Sequence, residues 1–176
     1  MRTFLLGGAR SGKSSLAARL ASERSNDVSC VVTALISDDE MKARIEIHRR
    51  ERPQHWQVRE APIKLDAALR EESAPGRVVL IDCLTLWTAN CLWPPAATTF
   101  EPDIAGWHAE RDAFLASLAD TRHEVIIVSN EVGTSLVPEN ASARLFRDEQ
   151  GRLNQLVAAA CDEALLVAAG LPLRLK

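Results

Sequence analysis

The chain has 176 residues, 47% of them apolar and 26% charged, with a net charge of −3. That is one domain's worth of chain with enough apolar content for its own core, so disorder is excluded. The near-neutral balance gives no general electrostatic case for binding nucleic acid or a membrane surface.

No window approaches the ~18 uninterrupted apolar residues of a membrane span. The opening run Phe4-Leu5-Leu6 is too short for the core of a signal peptide, and no cleavage pattern follows. Cys30, Cys83, Cys91 and Cys161 are never at C-x-x-C spacing. They read as reduced thiols of a cytoplasmic protein, each with the plainer alternative of a small core residue.

In chain order, Thr3–Leu6 predicts a short strand opening onto glycines. Ser14–Arg24 predicts a helix with Leu16, Ala17, Leu20 and Ala21 on one face. Cys30–Ala34 reads as a second strand. Ser37-Asp38-Asp39-Glu40 resembles a capping box that starts a helix, stopped near Arg52 by Pro53. Ile63–Glu72 predicts a short helix, Val78–Asp82 a buried strand ending in an acid, and Leu84–Leu92 a helix. Pro94–Pro102, with three prolines, predicts a flexible loop. Ile104–Thr121 reads as a helix with Trp107, Arg111, Phe114, Leu115 and Leu118 on one side. Val125–Val128 is a buried strand, Ala141–Cys161 a long helix with Gly151 as a weak point, and Ala164–Ala168 a strand. Gly170-Leu171-Pro172 turns into a last strand at Leu173–Leu175. Apolar strands alternating with helices predict an α/β fold, its mostly parallel central sheet covered on both faces. The last two strands are joined too closely for a helical crossover and predict an antiparallel edge hairpin. Short linkers throughout predict a single domain over residues 1–176.

Gly7-Gly8-Ala9-Arg10-Ser11-Gly12-Lys13-Ser14 matches G-x-x-x-x-G-K-[ST] between a strand and a helix. Glycines let backbone amides converge on phosphate oxygens, and the helix N-terminus adds partial positive charge. Lys13 is expected to reach the β- and γ-phosphates and the Ser14 hydroxyl to ligate Mg²⁺. The plainer reading is a glycine-rich turn that starts a helix. Asp82 is expected to hold Mg²⁺, usually through water, or to N-cap the helix that follows; the two roles are compatible.

His48 lies among Arg44, Arg49, Arg50 and Arg52. On a helix Arg44, His48 and Arg52 share a face at steps of four, and Met41, Ile45 and His48 share one at i, i+4, i+7. A neutral imidazole is a nucleophile toward phosphorus, and guanidiniums stabilise charge on phosphoryl oxygens. From spacing alone, a packed histidine on a solvated, charged helix is the competing reading. His55, His108 and His123 carry no comparable context.

Several ordered segments resemble the bifunctional adenosylcobinamide kinase / adenosylcobinamide-phosphate guanylyltransferase family of cobalamin biosynthesis. They are the phosphate loop 7–14, Thr33-Ala34, Asp39-Glu40-Met41, Arg44-Ile45, His48, Arg52-Pro53 and Trp56. Asp82-Cys83-Leu84-Thr85-Leu86-Trp87, Asn130-Glu131-Val132-Gly133 and Val137-Pro138 follow. Arg144-Leu145-Phe146-Arg147-Asp148, Gly151, Leu153-Asn154-Gln155 and Ala169-Gly170-Leu171-Pro172-Leu173 complete the set. The resemblance implies a RecA-like P-loop NTPase fold and a homotrimer. It implies that His48 becomes guanylylated, and that nucleotide contacts come from residues 7–14, Thr33, Ala34, Arg49, Arg50, Glu51, Arg52, Glu60 and Asp82. It implies Mg²⁺ as cofactor, ATP and GTP as co-substrates and adenosylcobinamide as the corrinoid substrate.

The sequence departs from the family at Thr134-Ser135, where a second glycine is usual; a positive φ there would strain Ser135. Asn130 and Glu131 read either as a turn or as substrate contacts. Arg144, Arg147 and Asp148 read either as helix-surface pairs or as site residues. Trp56, Trp87 and Trp107 read as core or interface packing. Two rivals to the bifunctional enzyme are a plain P-loop small-molecule kinase with a structural His48 and a nucleotide-binding regulatory switch.

Overall fold

The computed structural model describes residues 1–35, 39, 43, 45–46, 49–50 and 52–176. Its elements are β1 (Arg2–Gly7), α1 (Lys13–Arg24), β2 (Val28–Val32), β3 (Gln57–Glu60), α2 (Leu65–Glu72), β4 (Val78–Asp82) and α3 (Leu84–Leu92). They continue with α4 (Ile104–Asp120), β5 (Glu124–Asn130), α5 (Ala141–Ala160), β6 (Glu163–Ala168) and β7 (Leu171–Arg174). Residues 39, 43, 45–46 and 49–50 are helical. Ser37, Asp38 and Glu40 of the expected capping box lie outside the described residues.

The seven strands form one sheet in the order β3-β2-β4-β5-β1-β6-β7. Every neighbouring pair is parallel except β6–β7, which is the antiparallel edge hairpin expected from the short connection. The central strands are apolar on both sides because both faces are covered. Val79, Ile81, Val125 and Ile127 pack with α2, α3, α4 and α5 through Leu65, Leu69, Trp87, Trp107, Phe114 and Leu153. Their alternates Val78, Leu80, Ile126 and Val128 pack with Leu16, Ala17 and Ala21 of α1, and with Trp56. Trp87 meets Trp107 and Phe114 edge-on, each at 5.2 Å between ring centroids, and its indole N–H donates to the Ile63 carbonyl. All three expected core tryptophans are buried.

Some boundaries moved. β2 runs from Val28 to Val32, two residues earlier than expected, and β7 from Leu171 to Arg174. β3 was not expected, because Gln57-Val58-Arg59-Glu60 has no apolar run. An edge strand with all four side chains exposed needs only the ladder to β2, Ser29↔Gln57 through Val32↔Glu60. α5 passes through Gly151 without a break; the glycine faces open space and tertiary packing offsets its weak propensity. Residues 94–103 contain neither helix nor strand, and there Phe100 stacks on Trp93 at 6.0 Å.

Candidate nucleotide site

Parallel strands bring their C-terminal ends to one rim of the sheet, where open α/β sheets bind ligands. The register sets Glu60, Val32 and Asp82 side by side across β3, β2 and β4, and sets Gly7 between Asn130 of β5 and Val167 of β6. Residues far apart in sequence thereby meet along one rim of the sheet.

The phosphate loop leaves β1 at Gly7 and enters α1 at Lys13. A side chain at Gly7 is impossible: its Cβ would sit 2.5 Å from the Val167 carbonyl and 2.6 Å from Ser11 Oγ. Arg10 (φ 57°) and Gly12 (φ 93°) take left-handed backbone. Gly12 caps α1 without a side-chain hydrogen bond, so the first amides of the helix stay open to an anion. Among the described residues the buried Ser11 hydroxyl has no hydrogen-bond partner. Lys13, buried, points its ammonium back to the Gly8 carbonyl at 2.9 Å. Desolvation pulls its pKa below the ordinary lysine value, with Asp82 among the groups acting against that pull. An anion-sized ligand would meet amides and an ammonium here.

Asp82 ends β4. It does not cap α3; Cys83 holds the N-cap position, without a side-chain cap bond. The Asp82 carboxylate instead accepts from Arg52 Nη2 at 3.1 Å, both side chains being about 15% exposed (14% and 15%). Ser14, half-buried, begins α1 beside Lys13. These oxygen donors suit a hard cation. Among the described residues no three His, Cys, Asp or Glu side chains converge as a metal cage. A site of one hydroxyl and one acid fits Mg²⁺, which keeps its waters and takes its remaining oxygens from phosphates.

Thr33 is fully buried and every polar group it has is engaged. Its hydroxyl donates to the Cys83 carbonyl at 2.6 Å and accepts from the Cys83 amide at 3.1 Å. Its amide donates to the Asp82 carbonyl, and its carbonyl accepts from Asn90. Thr33 therefore locks the ends of β2 and β4 together. Ala34 is half-buried, Glu60, Arg49 and Arg50 are exposed, and Gly8, Ala9 and Arg10 line the open side of the loop. His48 and Glu51 lie outside the described residues.

The turn after β5 is built as a support. The Glu131 amide donates to the Gly7 carbonyl, and the Glu131 carboxylate accepts from the Gly133 amide. Arg147 donates to the Gly133 carbonyl at 2.9 Å, and Arg144 donates to the carbonyls of Pro138 and Glu139. Arg144 and Arg147 thus hold the loop 133–139 instead of pairing along the helix. Ser135 is not among the positive-φ residues, so the replaced glycine imposes no strain. Further supports are Asn90, the Ser129–Gln150–Asn154 cluster under β5, and Gly170, whose amide donates to the Ser11 carbonyl; Asn154 and Gly170 stand in the family-like segments, while Asn90, Ser129 and Gln150 carried no readable signal.

A glycine loop between a strand and an uncapped helix, with a buried lysine and an acid from a nearby parallel strand, defines a P-loop nucleotide-binding protein. The fold agrees: a prototypical ATPase from the type III secretion system of pathogenic bacteria is similar over 98% of this chain and 56% of its own, with a TM-score of 0.58 at 10% identity. A family model described as cobinamide kinase / cobinamide phosphate guanyltransferase (CobU) matches residues 3–175, and the chain belongs to that family. The bifunctional adenosylcobalamin biosynthesis protein CobP of Pseudomonas aeruginosa is 44% identical over 176 residues, all of this chain and 98% of the relative. The bifunctional adenosylcobalamin biosynthesis protein CobU of Escherichia coli K12 is 38% identical over 182 residues, with both chains fully covered.

Proposed function

We propose that this chain carries out two successive transfers in adenosylcobalamin biosynthesis at the crevice around the phosphate loop, with His48 as the covalent carrier of the second. The observation that carries the reading is the cradle itself: open α1 amides and a buried Lys13, in a chain matched by the family from residue 3 to 175.

In the first transfer, the aminopropanol hydroxyl of adenosylcobinamide attacks the γ-phosphorus of ATP or GTP. The bond from that phosphorus to the β-bridging oxygen breaks, the nucleoside diphosphate leaves, and the hydroxyl proton is released. The loop amides and Lys13 hold the phosphate oxygens and oppose the charge that builds on them. Ser14 and Asp82 would hold Mg²⁺, which when bound neutralises charge across the β- and γ-phosphates.

In the second transfer, a His48 ring nitrogen attacks the α-phosphorus of GTP. The bond to the β-phosphate breaks and pyrophosphate leaves, with the GMP moiety joined to nitrogen. A phosphate oxygen of adenosylcobinamide phosphate then attacks that phosphorus, the P–N bond breaks, His48 is restored, and adenosylcobinamide-GDP forms. Arg49, Arg50, Glu51, Arg52, Glu60, Thr33 and Ala34 complete the nucleotide surroundings. One fixed nucleotide pose does not present both the α- and γ-phosphorus to different nucleophiles, so the nucleotide takes two poses.

The whole chain works as one catalytic unit, in the cytoplasm, as a homotrimer. Four free, buried cysteines fit a reducing compartment. Light scattering on the purified protein tests the assembly, and a monomer would refute it. No helix among the described residues is long and apolar enough to cross a membrane.

The deciding experiment uses GTP labelled at the α-phosphate, with Mg²⁺, followed by denaturation. Acid-labile, alkali-stable protein-bound label, absent in His48→Ala, is the expected result. Absence of label in protein that binds GTP would leave γ-transfer alone.

A further inference from the structure

Asp82 is asked to face a metal ion, yet its carboxylate is already held by Arg52 Nη2 at 3.1 Å, with only about a seventh of either side chain exposed (14% and 15%). The partly buried setting screens the pair weakly, and a dication brought to the same carboxylate meets a guanidinium already there. Lys13 feels the Asp82 charge from the loop side.

We infer that Arg52 and Mg²⁺ compete for Asp82, so that the arrangement with the Arg52–Asp82 pair intact and the arrangement with metal at Asp82 exclude one another. This rests on the reading of Asp82 as the acid on the metal side of the site. Arg52 follows His48 by four residues, and Pro53 comes next. The pair thus ties the chain just after His48 to the end of β4. Metal–nucleotide on the phosphate loop releases that tie, and departure of the metal restores it. Such an exchange supplies the two nucleotide poses with a physical basis: γ-transfer takes place with Asp82 turned over to the metal, and the tied state belongs to the steps around His48. Exclusion of this kind is a coupling free energy between metal and side chain, and it is measurable as a ratio.

The ratio is the dissociation constant of a fluorescent GTP analogue without Mg²⁺, with a chelator present, divided by the constant with saturating Mg²⁺. It is read for the full-length protein, Arg52→Gln, Asp82→Asn and the double variant, with thermal melts to confirm folding. Arg52→Gln is expected to raise the ratio about fivefold or more. In the Asp82→Asn background the same change is expected to do nothing, because the contested carboxylate is gone. Arg52→Met stands in if Arg52→Gln does not fold. An unchanged or lower ratio in Arg52→Gln would overturn the competition. So would an equal rise in both backgrounds, since that shows a charge repelling metal without Asp82. If Asp82→Asn alone leaves the ratio at its wild-type value, Asp82 does not serve the metal, and the underlying reading fails along with the competition.

Discussion

The Gly170 amide donates a hydrogen bond to the Ser11 carbonyl at 2.8 Å, so the tip of the C-terminal hairpin rests on the phosphate loop. The approach is backbone on backbone: a Cβ at Gly12 would lie 3.0 Å from Gly170 Cα. The tip reaches there because Ala169 (φ 50°) and Gly170 (φ 78°) both take the left-handed conformation favoured in two-residue hairpin turns. Gly170→Val disfavours that turn by about 1–2 kcal/mol and is expected to weaken nucleotide binding about tenfold as the brace is lost. Gly170→Asn tolerates the left-handed region and restores binding. Fluorescent-nucleotide titrations beside thermal melts test both; unchanged affinity in Gly170→Val would make the contact passive.

Lys13 gives a pH prediction with a definite sign. Desolvation sets its folded pKa below 10.5, so burial of the ammonium penalises the folded state at neutral pH. That penalty is relieved as pH rises through the window between the lowered folded pKa and 10.5. Nucleotide affinity is expected to move the other way, because the ammonium proposed to hold phosphate is lost. Lys13→Met is expected to abolish both trends and to lower kcat/KM of both transfers on the order of 10²–10³-fold. Stability and nucleotide titrations against pH, wild type beside variant, check it.

Under β5, Ser129 Oγ donates to Asn154 Oδ1 at 2.7 Å, while Gln150 Nε2 donates to both at 2.9 and 3.0 Å. Asn154 Nδ2 in turn donates to the Asn130 carbonyl at 3.1 Å, next to Gly7 in the sheet. Asn154→Ala leaves buried donors and a carbonyl short of partners. It is expected to cost about 2–3 kcal/mol in urea unfolding with an unchanged m-value.

The thiols should be inert in the native protein. Burial pushes Cys30, Cys91 and Cys161 up to about 12 and raises Cys83 as well. A thiol reagent at mildly alkaline pH is expected to find none in the folded protein and all four in denaturant.

Asp162 tests acid stability. Arg2, through its side chain and its amide, holds this carboxyl down to about 2, below the usual 3.8. The group's contribution is complete above 3.8 and is lost as pH falls toward 2. Asp162 is 44% exposed, so solvent screening limits that contribution to about 1 kcal/mol or less. Asp162→Asn is expected to lower the melting temperature slightly at neutral pH, and the two proteins converge in acid.

The buried strands Val78–Asp82 and Val125–Val128, the helix Leu84–Leu92 and the loop 7–14 were legible because each is a local pattern: an apolar run, a period or a glycine spacing. β3 was not, since an exposed edge strand needs a partner and no pattern of its own. Thr33 illustrates the same limit at the site. The family resemblance marked it as a nucleotide contact, and only the fold shows its polar groups joining β2 to β4.

By itself the sequence determined the alternation of strands and helices, the phosphate loop, the acid at Asp82 and the family, all of which are written in short stretches of neighbouring residues. Only the tertiary structure decided that Gly170 supports Ser11 across 159 positions of chain, that Arg52 holds Asp82, and that Arg144 and Arg147 brace the loop after β5. Such contacts depend on which strands become neighbours at one rim of the sheet. Chain register and packing set that, and no local periodicity encodes it.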